Sequence, residues 1–223
     1  MKLTPEANPD YFETIIFDLD GVIIDSAPDI CAAVQRTLTY LGSESRDYEY
    51  IKNCIGGGAR NVLLKTLGET QKGLIDEAVG YFKEDYLKNC ANQTALYPGV
   101  AEILKYYSDF KKIALATFKI RAATERILAK LGVLHYFDMI VTADDVAFPK
   151  PDPQCITIIL NELHCPKEEA IIIGDTQTDI LTGKNGAIKT CGVLYGFGTK
   201  AVLQAAQPDY LISQIGELRE IIL

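Results

Sequence analysis

The sequence predicts an α/β protein: a doubly wound parallel sheet with a small all-helical unit inserted after the first strand. Three observations predict it. An apolar run, Ile15-Ile16-Phe17, ends in two carboxylates two residues apart, Asp18 and Asp20. Between residues 25 and 96, apolar side chains recur at helical spacing with no convincing strand. From Pro98 onward, strand and helix patterns alternate, which implies a parallel sheet covered by helices on both faces. The expected division is a core of residues 1–24 and 97–223 and a helical cap of residues 25–96.

Taken in order, the Ile15 run reads as a buried strand, and Gly21 lets the backbone turn sharply after it. Ser26 is placed to cap a helix whose first turn holds Pro28 and Asp29, with Ile30, Ala33, Val34, Leu38 and Leu41 on its apolar face. Short helices follow over Tyr48–Cys54, Val62–Leu67 and Leu74–Leu87, interrupted by Gly56-Gly57-Gly58-Ala59-Arg60. Pro98-Gly99 opens a helix over Val100–Tyr107. Strands are then expected at Ile113–Thr117, Met139–Thr142, Ala170–Asp175, Lys189–Tyr195 and Tyr210–Ile212. Helices fall between them at Ala122–Leu131, Gln154–Leu163 and Thr178–Lys184, and one more closes the chain.

At 223 residues the chain is long enough to bury a substantial core, with ordinary globular composition. A net charge of −8 argues against a nucleic-acid partner, though a local cation or metal can still favour an anionic substrate. Six scattered cysteines without a C-x-x-C pair, and only two histidines, fit reduced thiols in a cytoplasmic protein rather than a zinc site. The polar, proline-containing Met1–Asp10 stretch is unlike a signal peptide, and no apolar run approaches the roughly 18 residues of a membrane span. No long heptad pattern demands an assembly, so a monomer or a homodimer fits.

Polar residues cluster at the expected strand ends. Side chains two apart in an extended chain face the same side, which brings Asp18 and Asp20 together at the carboxyl edge, where open α/β sheets bind ligands. The Ile113 strand ends in Thr117 and is followed by Phe118 and Lys119; the Ala170 strand ends in Gly174-Asp175, with Asp179 a helical turn beyond; Lys150 is fixed between Pro149 and Pro151. Two neighbouring acids are costly unless a cation or a shared proton relieves them. Phosphoryl transfer fits this set. A carboxylate can attack phosphorus and split one displacement into two easier ones. Mg²⁺ and a lysine would offset the repulsion between anions, a hydroxyl and backbone N–H groups would hold the phosphoryl oxygens, and a second acid would serve the leaving group.

Asp18-Leu19-Asp20-Gly21-Val22, Thr117, Lys150 in Phe-Pro-Lys-Pro-Asp-Pro, and Gly174-Asp175-Thr176-Gln177-Thr178-Asp179 resemble, in order, the four motifs of the haloacid dehalogenase superfamily. The helical insertion is similar to that superfamily's small α-helical cap. Asp25-Ser26-Ala27-Pro28-Asp29, Tyr97-Pro98-Gly99-Val100 and Lys150-Pro151-Asp152-Pro153 resemble its phosphoglycolate phosphatase-like branch. The resemblance implies a Mg²⁺-dependent phosphatase acting on a small phosphate ester. It implies Asp18 as nucleophile, Asp20 as general acid/base, and Asp18, the Asp20 carbonyl and Asp175 as metal ligands supported by Asp179. Thr117 would bind phosphate, and Lys150 would stabilise the nucleophile and the transferring group. Phe118 departs from the pattern, which has Asn or another small residue there, and so bears on substrate fit.

Within the superfamily, dehalogenases and phosphonate-cleaving relatives lack the second acid, so Asp20 points to a phosphatase or phosphomutase. The β-phosphoglucomutase-like branch has a histidine where this chain has Ile30, which demotes a mutase. Gly57 and Arg60 lie where related caps place a substrate-contacting loop; a solvated loop arginine explains them equally well. The expected substrate is 2-phosphoglycolate, with a pyrophosphatase or sugar-phosphate phosphatase sharing every motif residue. A non-catalytic binding module is expected to have lost Asp18, Asp20 or Asp175, and none is lost.

Overall fold

A computed structural model describes residues 11–223; the Met1–Asp10 stretch, read as unlike a signal peptide, lies outside the described residues. The chain forms strands β1 (Thr14–Phe17), β2 (Ile24–Asp25), β3 (Ala95–Leu96), β4 (Lys112–Ala116), β5 (Met139–Val141), β6 (Ala170–Gly174), β7 (Lys189–Val193) and β8 (Tyr210–Ile212). Six of them make one parallel sheet in the order β5-β4-β1-β6-β7-β8. The chain moves outward from β1 in one direction through β4 and β5, and in the other through β6, β7 and β8. That reversal makes the carboxyl end of β1 the switch point where a crevice opens.

β1 is central because it is apolar on both faces. Ile15 and Phe17 pack into one hydrophobic cluster and Ile16 into another on the opposite face. Each such fully buried side chain is worth about 1.5–3 kcal/mol. Phe17 is in register with Leu115 of β4 and Ile173 of β6, so the three strands end within one residue of one another. Helices α5 (Val100–Ser108), α6 (Arg121–Lys130), α7 (Gln154–Leu163), α8 (Gln177–Asn185) and α9 (Lys200–Ala206) link the strands of the sheet.

The insertion contains α1 (Ala27–Tyr40), α2 (Tyr48–Cys54), α3 (Gly58–Thr66) and α4 (Ile75–Asn89). Two strands were not expected there. β2 and β3 pair antiparallel, Ile24 with Leu96 and Asp25 with Ala95, and tie the two ends of the insertion together. Two-residue strands carry no periodicity, so no pattern in the sequence could reveal them. Asp29 reinforces the same junction. Its buried carboxylate accepts from the Gln93 and Thr94 backbone N–H groups and from the Thr94 hydroxyl. The expected closing helix is a 3-10 helix, Ile215–Glu220. No helix among the described residues is long and apolar enough to cross a membrane.

Candidate active site

At the end of β1 the backbone turns within a few residues: Ile23 and Ile24 donate to the Leu19 carbonyl at 3.0 Å, and Gly21 donates to Ile24 at 2.9 Å. Gly21 has φ +89°, and a Cβ there would lie 2.1 Å from an Asp175 oxygen. Only glycine permits both the turn and the approach. The loop presents Asp18 and Asp20 to a cleft of about 920 Å³. Thr117, Phe118, Lys150, Asp175 and Asp179 also line that cleft, as do Gly57 and Arg60 from the insertion. Every residue expected at the site therefore faces one space between sheet edge and helical roof.

Lys150 is the electrostatic centre of the floor. Its ammonium donates to Asp18 Oδ1 at 2.7 Å, to Asp179 Oδ1 at 2.6 Å and to the Ala116 carbonyl at 3.1 Å. Burial works against its charge, but Asp179 and Asp18 outweigh that and hold its pKa above the ordinary lysine value. Asp179 is placed by the start of α8: its Oδ2 accepts from the Thr176 backbone N–H at 3.1 Å and hydroxyl at 2.7 Å. Gly174 makes room for it, since a Cβ there would sit 2.0 Å from the Asp179 Cβ. Both Asp179 oxygens are engaged, which fits a supporting role for this residue.

Asp18, Asp175 and Asp179 bring carboxylate oxygens within 4.8 Å of one another, all buried. Burial, only partly offset by Lys150, pushes Asp18 up from 3.8 to about 7, with Asp179 adding to the rise. Asp175 is pushed well above the ordinary carboxylate range by burial and then by Asp179 and Asp18. Its Oδ2 accepts from the Phe197 N–H at 2.6 Å, while its buried Oδ1 has no hydrogen-bond partner among the described residues. Three carboxylates against one ammonium leave excess negative charge and one unsatisfied oxygen. An all-oxygen donor set of that kind fits a hard divalent cation, so the cluster is a candidate metal site.

Thr117 follows β4, and its hydroxyl oxygen accepts from the Lys119 N–H at 3.1 Å, which leaves its proton free to donate into the cleft. Phe118 lies with its ring 5.2 Å from the Lys150 ammonium, on the wall between the cleft and a smaller cavity beside it. Arg60 lines the cleft, but its guanidinium pairs with Asp76 on α4 at 2.6 Å and remains 56% exposed. Gly57, with φ +69°, precedes α3, and Asn61 pins this loop by donating to the Gly56 carbonyl at 2.7 Å.

Sequence reasoning missed two contacts. Ser26 does not cap α1 with its side chain; its hydroxyl donates to Asp20 Oδ1 at 2.5 Å. Lys119, noted only as following Thr117, is buried with its ammonium 3.1 Å from the same Asp20 oxygen. A lysine two positions after an expected strand-end hydroxyl was the available signal for the second; nothing in the local sequence around Ser26 separates a cap from a long-range donor.

The family profile of haloacid dehalogenase-like hydrolases matches residues 15–193. A phosphoglycolate phosphatase of Aquifex aeolicus is 36% identical over 205 residues, covering 92% of this chain and 93% of that protein. A pyrophosphatase, PpaX, of Bacillus velezensis is 31% identical, covering 93% and 94%. A haloacid dehalogenase-like hydrolase structure from Streptococcus pneumoniae superposes with a TM-score of 0.83 at 28% identity, covering 93% of this chain and 97% of that one. The match spans both strand-end acids, the helical insertion and the Gly174-Asp175 turn, and this chain belongs to the haloacid dehalogenase-like hydrolases.

Proposed function

We propose that the protein is a Mg²⁺-dependent phosphoric monoester hydrolase that works through an aspartyl-phosphate on Asp18, with 2-phosphoglycolate as its leading substrate. The observation that carries this reading is the Lys150–Asp18 contact at 2.7 Å beside the unpartnered Asp175 oxygen. It supports the reading because Asp18 is buried beside a fixed cation and near a carboxylate oxygen without a partner among the described residues.

Asp18, Asp175 and the Asp20 carbonyl would hold Mg²⁺, and Asp179 would brace Lys150 beside them. When bound, the metal supplies positive charge that offsets repulsion between the carboxylate and the phosphate. The Thr117 hydroxyl donates to a phosphoryl oxygen, and Lys150 faces the charge that builds on the transferring group. An Asp18 oxygen attacks phosphorus as the ester P–O bond breaks. Asp20 gives its proton to the departing oxygen, then takes one from the water that hydrolyses the acyl phosphate. The helical roof excludes bulk water during both steps.

The roof also bears on the substrate. Arg60, Lys65 and Lys83 line the cleft from the insertion, and no carboxylate does. Asp76 already pairs with Arg60, but Lys65 and Lys83 remain as cations on the roof of a chain of net charge −8, and they favour a second anionic group on the substrate. It fits 2-phosphoglycolate, and it fits pyrophosphate, the alternative that the Bacillus velezensis relative brings forward. Neutral hexose phosphates fit it less well. All six cysteines are buried and free, as a reducing compartment would leave them.

Phosphate release from 2-phosphoglycolate, pyrophosphate and several hexose phosphates, with Mg²⁺ and with EDTA, tests the proposal. Fastest turnover of 2-phosphoglycolate, dependent on Mg²⁺, is expected. Preference for pyrophosphate would replace the substrate and keep the mechanism. Undiminished turnover in EDTA would overturn the metal's role.

A further inference from the structure

Lys119 is a buried cation without a task in the reaction steps so far. Its side chain is 6% exposed, and its ammonium lies 3.1 Å from Asp20 Oδ1. The same ammonium donates to the Tyr86 hydroxyl at 2.7 Å and stands 4.6 Å from the centre of that ring. Tyr86 belongs to α4 of the insertion, so one lysine touches both an acid of the floor and a side chain of the roof. Ser26, which opens α1 just after β2, donates to Asp20 Oδ1 as well, at 2.5 Å.

Two donors thus converge on one Asp20 oxygen, and among the described residues no donor reaches the other, Oδ2. Oδ1 is occupied by the ammonium and the hydroxyl, so Oδ2 is the Asp20 oxygen left open to hydrogen-bond with a departing oxygen. Fixing Oδ1 also fixes where Oδ2 points. General acid catalysis needs the proton within hydrogen-bond reach of the departing oxygen, so this fixation bears on rate and not only on packing.

We propose that Lys119 is a positioning residue. Together with Ser26 it anchors Asp20 through Oδ1, so that Oδ2 carries the proton to the leaving group, and Tyr86 links this anchor to the seating of the helical insertion. The inference rests on the reading of Asp20 as the general acid. As the Asp18 oxygen bonds to phosphorus and the ester P–O bond breaks, the Oδ2 proton passes to the ester oxygen. The leaving group departs as a hydroxyl rather than an alkoxide, and Asp20 remains as a carboxylate facing Lys119.

The test compares kcat/KM for two esters, the alkyl monophosphate that the wild type turns over best and p-nitrophenyl phosphate, whose leaving group needs no proton. Lys119→Met should lower kcat/KM for the alkyl ester about tenfold or more while changing the aryl ester by less than about threefold. Tyr86→Phe, which removes one hydroxyl, should shift the alkyl-to-aryl ratio in the same direction by about threefold. A purely structural lysine would lower both esters together, and that result, or an unchanged ratio in both variants, would overturn the inference. If Lys119→Met does not fold, the Tyr86→Phe ratio decides alone. Asp20→Asn separates the two layers: if it too lowers both esters equally, the general acid itself is misassigned. If it alone is alkyl-selective, only the role of Lys119 falls.

Discussion

The Lys150 ammonium lies 2.7 Å from Asp18 Oδ1, although the two residues are 132 positions apart in the chain. The contact arises because a loop after β5 crosses the carboxyl end of β1, where Asp179 receives a second N–H of the same ammonium at 2.6 Å. Breaking a buried ion pair by removing one partner leaves the other charge uncompensated, at a cost of about 3 kcal/mol or more. Lys150→Met should therefore lower stability by about that amount in metal-free protein, read from a denaturant midpoint. It should also reduce kcat by about a hundredfold or more with Mg²⁺ present. Loss of activity with unchanged stability would separate the two roles.

The acid cluster makes stability depend on pH with a definite sign. Asp18 is raised to about 7 in the fold and Asp175 is raised with it, so between about pH 4 and 7 the folded protein holds protons that the unfolded chain has released. Stability of the metal-free protein should fall as pH climbs through that window. Mg²⁺ competes with those protons, so the Tm gain from Mg²⁺ should be larger at about pH 8 than at about pH 5. Asp175→Asn should flatten both trends. A metal-free Tm whose pH slope is the same in wild type and variant would contradict an origin in the acid cluster.

Phe118 stands where the resemblance leads one to expect a small residue, and its ring centre is 5.2 Å from the Lys150 ammonium. A cation–π contact of this kind contributes about 0.5–2 kcal/mol. Phe118→Asn should therefore change kcat/KM by no more than about thirtyfold, with any change in substrate preference falling on the esters of larger leaving groups. A loss as complete as that expected for Asp18→Asn would mean the ring does more than pack beside the lysine.

Arg60 and Lys83 line the same cleft, but Arg60 is already paired with Asp76. For an ester with a second anionic group, Lys83→Ala should raise KM more than Arg60→Ala does, and neither should change KM much for a neutral ester. Equal changes on charged and neutral esters would remove the cationic roof as a source of specificity.

Much of the fold was legible because its signals are periodic or punctuated. Ile15-Ile16-Phe17 and Ala170-Ile171-Ile172-Ile173 are apolar runs of the kind a strand buried on both faces needs, and Pro98-Gly99 and Gly132 mark real boundaries. The floor of the site was legible for a related reason: Asp18, Thr117 and Asp175 sit at strand ends, and a parallel sheet brings strand ends together. What stayed hidden was long-range. The β2–β3 ribbon has two residues per strand and no period. Ser26 and Asp29 look like helix-start residues in the sequence, yet their side chains reach Asp20 and residues 93–94. The pairing of Lys119 with Tyr86 depends on how the insertion folds over the sheet, which no local pattern encodes.

The central claim is that Asp18 becomes phosphorylated during turnover. Rapid acid quench of the wild-type enzyme with Mg²⁺ and excess 2-phosphoglycolate, or the best ester of the panel, followed by peptide mass spectrometry, tests it most directly. A phosphoryl group on the peptide bearing Asp18, absent in EDTA and in Asp18→Asn, which itself shows no turnover, is the predicted result. Turnover that persists in Asp18→Asn, or a phosphoryl group trapped on another residue, would contradict the account.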